Sequence, residues 1–358
     1  MTFSKYNFKD EILTYQKIKQ LNFFTDDEIS YIERNDFVLK RIAATKFYLN
    51  LAGNNKENPL RKQFVPSLEE LKIFEYEKTD PLCEKRFLKS DRIIHRYRDR
   101  VLFIATGSCS LYCRHCFRRY LDQTIIKDAD KADIKILIDY LQANKSIREV
   151  LVSGGDPLVL DNDFIEYLCK SIRDVSKDIV IRIGTRVPVV LPGRINPALA
   201  NILSKYRPLY ILTQFNHADE VTEANSAAVD TILKSGIPVL NQAVLLAGIN
   251  NSEKQLKELF YKLVSISVKP YYIFQGDLAA GASHFRTNLM QGIEIMEKLK
   301  AEMSALSLPL LAVDLPEGGG KIIMDRNSIV KRENGFFYLK NSEGKLFAYP
   351  DENHCHRE

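Results

Sequence analysis

The chain has 358 residues, of which 45% are hydrophobic, 27% charged and 10% aromatic, a globular balance that excludes disordered, collagen-like and coiled-coil proteins. Its net charge of +5 suits anionic small ligands and requires no polyanion. Six cysteines are too few for a disulfide scaffold of this length, and no apolar run approaches the roughly 18 residues of a membrane span. The stretch Met1 to Lys17 mixes acidic and basic residues without an apolar core, so neither a secretory signal nor a transit peptide is read there. A cytoplasmic protein with no membrane and no nucleic-acid partner is expected.

Residues 1–92 are expected to form an N-terminal helical region, interrupted by a loop rich in Gly and Asn between Leu51 and Arg61. From Val101 onward the pattern changes to short β-rich runs separated by helical stretches, which signals parallel βα units. The runs are Val101 to Thr106, Glu149 to Ser153, Ile179 to Gly184, Leu209 to Phe215, Pro238 to Leu246 and Tyr271 to Gln275. Between them, Ile134, Leu137, Ile138 and Leu141 repeat at helical spacing, and Ser252 with Gln255 reads as a helix cap. Six such units predict an α/β fold, a partial (β/α)6 TIM-like barrel over residues 93–305, followed by a C-terminal segment and tail over 306–358. Barrels place their chemistry at the carboxyl ends of the strands, so the loops there come first.

Directly after the first run stand Cys109, Cys113 and Cys116 in a Cys-x3-Cys-x2-Cys spacing. Chance would produce this triplet about 0.002 times from six cysteines. Three thiolates this close need a cation. Zinc would require a fourth donor, for which His115 is the near candidate; an iron-sulfur cubane on three cysteines leaves one iron open to a ligand. Arg114, His115, Arg118 and Arg119 make the loop a poor core segment by composition. The second run ends in Ser153, Gly154, Gly155 and Asp156, where the glycines admit a ligand to the backbone and Asp156 could face an amine. Near the end, Asp314-Leu315-Pro316-Glu317-Gly318-Gly319-Gly320-Lys321 lacks the residues of a phosphate-cradling Walker loop; it reads either as a surface hairpin turn or as a turn that can project an amine suited to a Schiff base.

The cysteine spacing resembles the radical S-adenosylmethionine (SAM) superfamily, which implies a 4Fe-4S cluster on Cys109, Cys113 and Cys116 whose open iron binds SAM. Taken with Arg118-Arg119, the segment from Pro270 to Thr287 and the Gly-Lys turn, the pattern is similar to the lysine 2,3-aminomutase family from about Arg92 to Met324. That resemblance implies an isomerase using pyridoxal 5′-phosphate (PLP), with Lys321 as the catalytic, PLP-binding lysine and Arg96, Tyr97 and Arg100 around the phosphate. It implies SAM contacts at Ser153, Gly154, Gly155, Asp156 and Gln214, with Gln214 standing where a histidine is expected and Phe274 where a tyrosine is expected.

For the substrate, the resemblance implies that Arg118 takes the carboxylate and that Asp277 and Asp314 grip a side-chain ammonium. Two acids in one pocket favour a basic side chain on charge grounds alone, so L-lysine and β-lysine are the expected pair, with an external electron donor for the cluster. A homodimer is expected. The readings left open are an aminomutase making (R)-β-lysine for elongation factor P, a 2,3-aminomutase for another amino acid such as arginine, a radical SAM enzyme without PLP, and an iron-sulfur or zinc module that contacts RNA through Arg114, Arg118 and Arg119. The family's tail zinc site lacks most of its cysteines here: Ser252 stands at one position, and Cys355 is the single cysteine of the tail.

Overall fold

The computed structural model describes residues 8–35, 41–120 and 127–351. The His354-Cys355-His356 tail lies outside the described residues. The N-terminal region is less regular than a helical bundle: helices Tyr15–Gln20, Asp26–Arg34 and Lys46–Ala52 are short, and strands β1 (Ile12–Thr14) and β2 (Ala43–Thr45), just before the first and third of them, pair antiparallel.

One large sheet dominates the molecule. Its parallel run comprises β5 (Arg100–Thr106), β6 (Glu149–Gly154), β7 (Val180–Gly184), β8 (Leu209–Thr213), β9 (Val239–Val244), β10 (Lys269–Phe274) and β11 (Leu310–Leu315). At one edge, β3 (Leu88–Ser90) and β4 (Ile93–Tyr97) add antiparallel to β5; at the other, β12 (Gly320–Ile323) adds antiparallel to β11. The six expected runs are all strands. The parallel strand absent from the expectation is β11, which lies beyond the six expected units, in the stretch assigned to the C-terminal segment. Strands β11 and β12 lie in the stretch set apart as 306–358, and they complete the same sheet.

In strand order, β12 and β4 stand eight strands apart, roughly 38 Å in a flat sheet at about 4.8 Å per strand. Yet the backbone N–H of Lys321 on β12 donates to the Tyr97 hydroxyl on β4 at 3.1 Å. The sheet therefore curls round into an open barrel whose edge strands, β12 and β3, do not pair among the described residues. Val150, Val152, Ile181, Ile183, Leu209 and Ile211 are buried on the strands, and Ile134, Leu137 and Leu141 pack from the helix Lys131–Ala143, giving the two apolar layers a parallel sheet requires. Cys169 is buried in the same core, on helix Asn162–Val175. A separate antiparallel sheet of β13 (Ile329–Glu333), β14 (Phe336–Lys340) and β15 (Leu346–Pro350) follows the barrel. Among the described residues no helix is long and apolar enough to cross a membrane.

Candidate active site

The cysteine loop leaves the carboxyl end of β5 and is pinned from the N-terminal region. Tyr112 N–H donates to the Ala43 carbonyl and Arg114 N–H to the Gln63 carbonyl, each at 2.8 Å. The basic composition of this loop misleads about its exposure. Arg114 is fully buried and bonds Glu70 at 2.9 and 2.6 Å through two nitrogens, while Arg119, also buried, donates to the same carboxylate. Burial pushes the Glu70 carboxyl up, but the two guanidiniums outweigh it and hold it below the usual range. One buried acid thus lets two arginines enter the core, and neither Arg114 nor Arg119 presents a surface for RNA.

The three thiols crowd one another. Burial, then Asp156 and the neighbouring sulfurs, drives Cys109 far up, and burial and Cys113 raise Cys116 to about 11. Protein alone therefore disfavours three thiolates here, and a cation would reverse that balance. No three His, Cys, Asp or Glu side chains converge on a single-ion site among the described residues; a cubane instead takes each thiolate on a different iron. Arg186, at the end of β7, donates to Cys113 Sγ at 2.9 Å and to Glu220 at 2.7 Å.

The end of β6 approaches this loop closely: a Cβ on Gly155 would lie 2.1 Å from the Ser108 carbonyl oxygen, so only glycine fits. The Asp156 carboxylate accepts from Thr185 Oγ1 at 2.6 Å, Arg186 N at 2.7 Å and Leu158 N at 3.1 Å. Burial raises its carboxyl even against those donors. Gln214, after β8, contacts His115 through Nε2 at 3.1 Å; the other ring nitrogen of His115 has no hydrogen-bond partner, and burial keeps this ring neutral.

Opposite lies the lysine turn. The β11–β12 hairpin places Asp314 and Lys321 as register partners, with Nζ 2.9 Å from the carboxylate and 3.7 Å from the centre of the Phe274 ring. Burial lowers the Lys321 pKa, and Asp314 and Asp277 only partly offset it, which favours a nucleophilic amine. Burial and then Asp314 raise Asp277 to about 8. Arg96 packs its guanidinium against Phe87 and Tyr97 and leaves Nη2 buried without a partner, 3.9 Å from where a Cβ on Gly320 would stand. Gly320 has φ of 100°, a conformation that favours glycine. Arg100 lies over the Tyr97 ring at 4.1 Å.

Arg118 has a partner that sequence reasoning missed. Glu84 accepts from its Nε and Nη2 at 2.8 and 2.6 Å, and Nη1 donates to Ser153 Oγ at 3.2 Å. Nothing in the spacing signals Glu84 or Arg186, because each meets its partner only through the fold.

The radical SAM superfamily signature matches residues 103–260. The L-lysine 2,3-aminomutase of Acetoanaerobium sticklandii is 39% identical over 98% of this chain and 84% of its own length. The glutamate 2,3-aminomutase of Clostridioides difficile is 35% identical over 97% of this chain and 82% of its own. Among solved structures, Streptococcus suis SuiB bound to S-adenosylmethionine is 15% identical with a TM-score of 0.44, covering 59% of this chain and 49% of that one.

The thiol loop at the end of β5 and the superfamily match define a radical SAM enzyme. With identity of this degree along nearly its whole length, the chain belongs to the lysine 2,3-aminomutase family of isomerases. The family's cofactors are a 4Fe-4S cluster, SAM and PLP, and the residues present fit them. The unpartnered Arg96 nitrogen beside Gly320 and the depressed Lys321 amine suit a phosphate and an aldehyde. The crowded thiols suit the cluster.

Proposed function

We propose that this enzyme interconverts L-lysine and β-lysine by moving the amino group between C2 and C3. The observation that carries the reading is the Lys321 ammonium held by Asp314 at 2.9 Å, with the buried Asp277 carboxyl close enough for its charge to act on both. Once Lys321 is engaged with PLP, the two acids need another cation, and the distal ammonium of lysine supplies it. A charge-assisted hydrogen bond is worth about 1.5–3 kcal/mol. Glutamate would bring a third negative charge to the same place. The (R)-β-lysine and arginine readings share this acid pocket and are separated by product analysis.

PLP supplies the π-system, and the SAM-bound cluster the carbon radical, that make a 1,2-amino shift accessible. The protein's part is to orient and to exclude water. Lys321 presents its amine from a hairpin fixed by Tyr97, Arg96 and Arg100 receive the phosphate, and Arg118, held by Glu84, receives the substrate carboxylate. Ser153, Gly154, Gly155, Asp156 and Gln214 would hold SAM beside a cluster on Cys109, Cys113 and Cys116, and an external one-electron donor reduces the cluster. The test is anaerobic incubation of the loaded enzyme with SAM, reductant and L-lysine, followed by chiral chromatography. β-Lysine is expected; the absence of any β-amino acid overturns the reading.

A further inference from the structure

The substrate pocket has a wall from outside the barrel. Tyr349, on β15, is fully buried, and its hydroxyl donates to the Gly276 carbonyl at 2.6 Å. That carbonyl belongs to the peptide unit that carries the Asp277 nitrogen. Because a peptide is planar, fixing its oxygen fixes the direction in which the Asp277 Cα leaves it. The remaining anchors hold the neighbours: Gln275 N–H donates to the Ala312 carbonyl at 2.8 Å, Gln275 Nε2 to the Thr287 carbonyl at 2.6 Å, and Lys78 N–H to the Leu278 carbonyl at 2.9 Å. Among these, the Tyr349 bond is the one on the peptide of Asp277 itself.

Strand β15 is in turn fastened to the barrel. Asn288 Nδ2 donates to the Asp351 carbonyl at 2.6 Å and to its carboxylate at 3.0 Å, and Phe336 on the neighbouring β14 meets Tyr76 edge-on at 6.1 Å.

We infer that Tyr349 is a positioning residue that aims Asp277 at the distal ammonium of the substrate, which makes the C-terminal three-stranded sheet a specificity element of the site. This rests on the reading of Asp277 as an ammonium-binding acid. A carboxylate in a buried pocket profits from an ammonium only at hydrogen-bond distance and with a fixed angle. A loop free to rotate its peptide would swing the acid toward Arg118 or away from Asp314, whose charges Asp277 feels. Tyr349 removes that freedom without touching substrate.

The experiment uses the enzyme loaded with its cluster and PLP, without SAM, and reads binding from the visible PLP band. L-Lysine is compared with L-norleucine, which has the same chain without the ammonium. Tyr349→Phe is expected to raise the lysine Kd about five- to tenfold and the norleucine Kd less than about twofold. Placed on Asp277→Asn, the same change is expected to add less than about twofold, because the residue it acts through is already neutral.

Asn288→Ser keeps the helix cap and loses the bonds to Asp351, and serves if Tyr349→Phe fails to fold. It is expected to shift lysine binding in the same sense by a smaller factor. Equal losses for lysine and norleucine, additivity with Asp277→Asn, or an unchanged lysine Kd in both variants would overturn the inference while leaving the lysine reading intact. A wild-type enzyme that binds lysine no better than norleucine overturns that reading and this inference together.

Discussion

Asp314 and Lys321 face each other across the β11–β12 hairpin, carboxylate to ammonium at 2.9 Å, in direct strand register. The bond is local, made by residues seven apart in sequence, and it shows what the pocket is built to hold. While its amine is free of PLP, Lys321 supplies the cation for the acids; once it is engaged with PLP, the substrate ammonium takes that place.

Removing that amine separates the cofactors. Lys321→Ala is expected to abolish the borohydride-reducible PLP band while iron content and iron-sulfur absorbance stay at wild-type levels, since the thiol loop leaves a different strand. A normal PLP band in the variant would remove Lys321 from its role.

Neutralising the acids acts on substrate. Asp314→Asn is expected to raise the KM for lysine roughly ten- to a hundredfold, the loss of one charge-assisted bond, with PLP content unchanged. Steady-state kinetics with wild-type KM would contradict the assignment.

Asp277 gives the pH dependence a sign. Its carboxyl is raised from 3.8 to about 8 in the folded protein, so its contribution to stability is fully present below about pH 4 and is lost as pH rises through 8. Asp277→Asn escapes that loss. The apo-protein variant is expected to melt a few degrees above wild type at pH 8.5 and to show a smaller gain at pH 5. Lysine binding runs the other way: the ionised acid is the binding form, so wild-type KM is expected to fall between pH 6.5 and 8.5, and this limb is expected to vanish in the variant. Parallel pH profiles would contradict the account.

Arg96 is expected to hold PLP through its phosphate. Arg96→Gln removes a buried cation whose Nη2 has no protein partner, so PLP affinity is expected to fall roughly ten- to a hundredfold, and extensive dialysis is expected to strip the cofactor. Retention of stoichiometric PLP would point the phosphate elsewhere.

What was legible in the sequence was local. The cysteine loop announces itself by its spacing and the Gly-Lys turn by its glycines, whereas the roles of Asp314 and Lys321 came with the family resemblance. The six βα units were readable because buried parallel strands leave continuous apolar runs. Contacts between distant elements left no such trace: Glu84 with Arg118, Arg186 with Cys113 and Tyr349 with Gly276 are separated by 34, 73 and 73 residues. The arginines of the cysteine loop read as exposed because composition cannot foresee Glu70, which neutralises two of them in the core. Strand β11 lay beyond the six expected units, although it carries Asp314.

The most direct measurement is a competition. The loaded enzyme, SAM and reductant are incubated anaerobically with equimolar L-lysine, L-arginine and L-glutamate, and the β-amino acids are quantified over the first turnovers. The acid pair at Asp277 and Asp314 predicts β-lysine in at least about tenfold excess over β-glutamate. β-Glutamate as the leading product would contradict it.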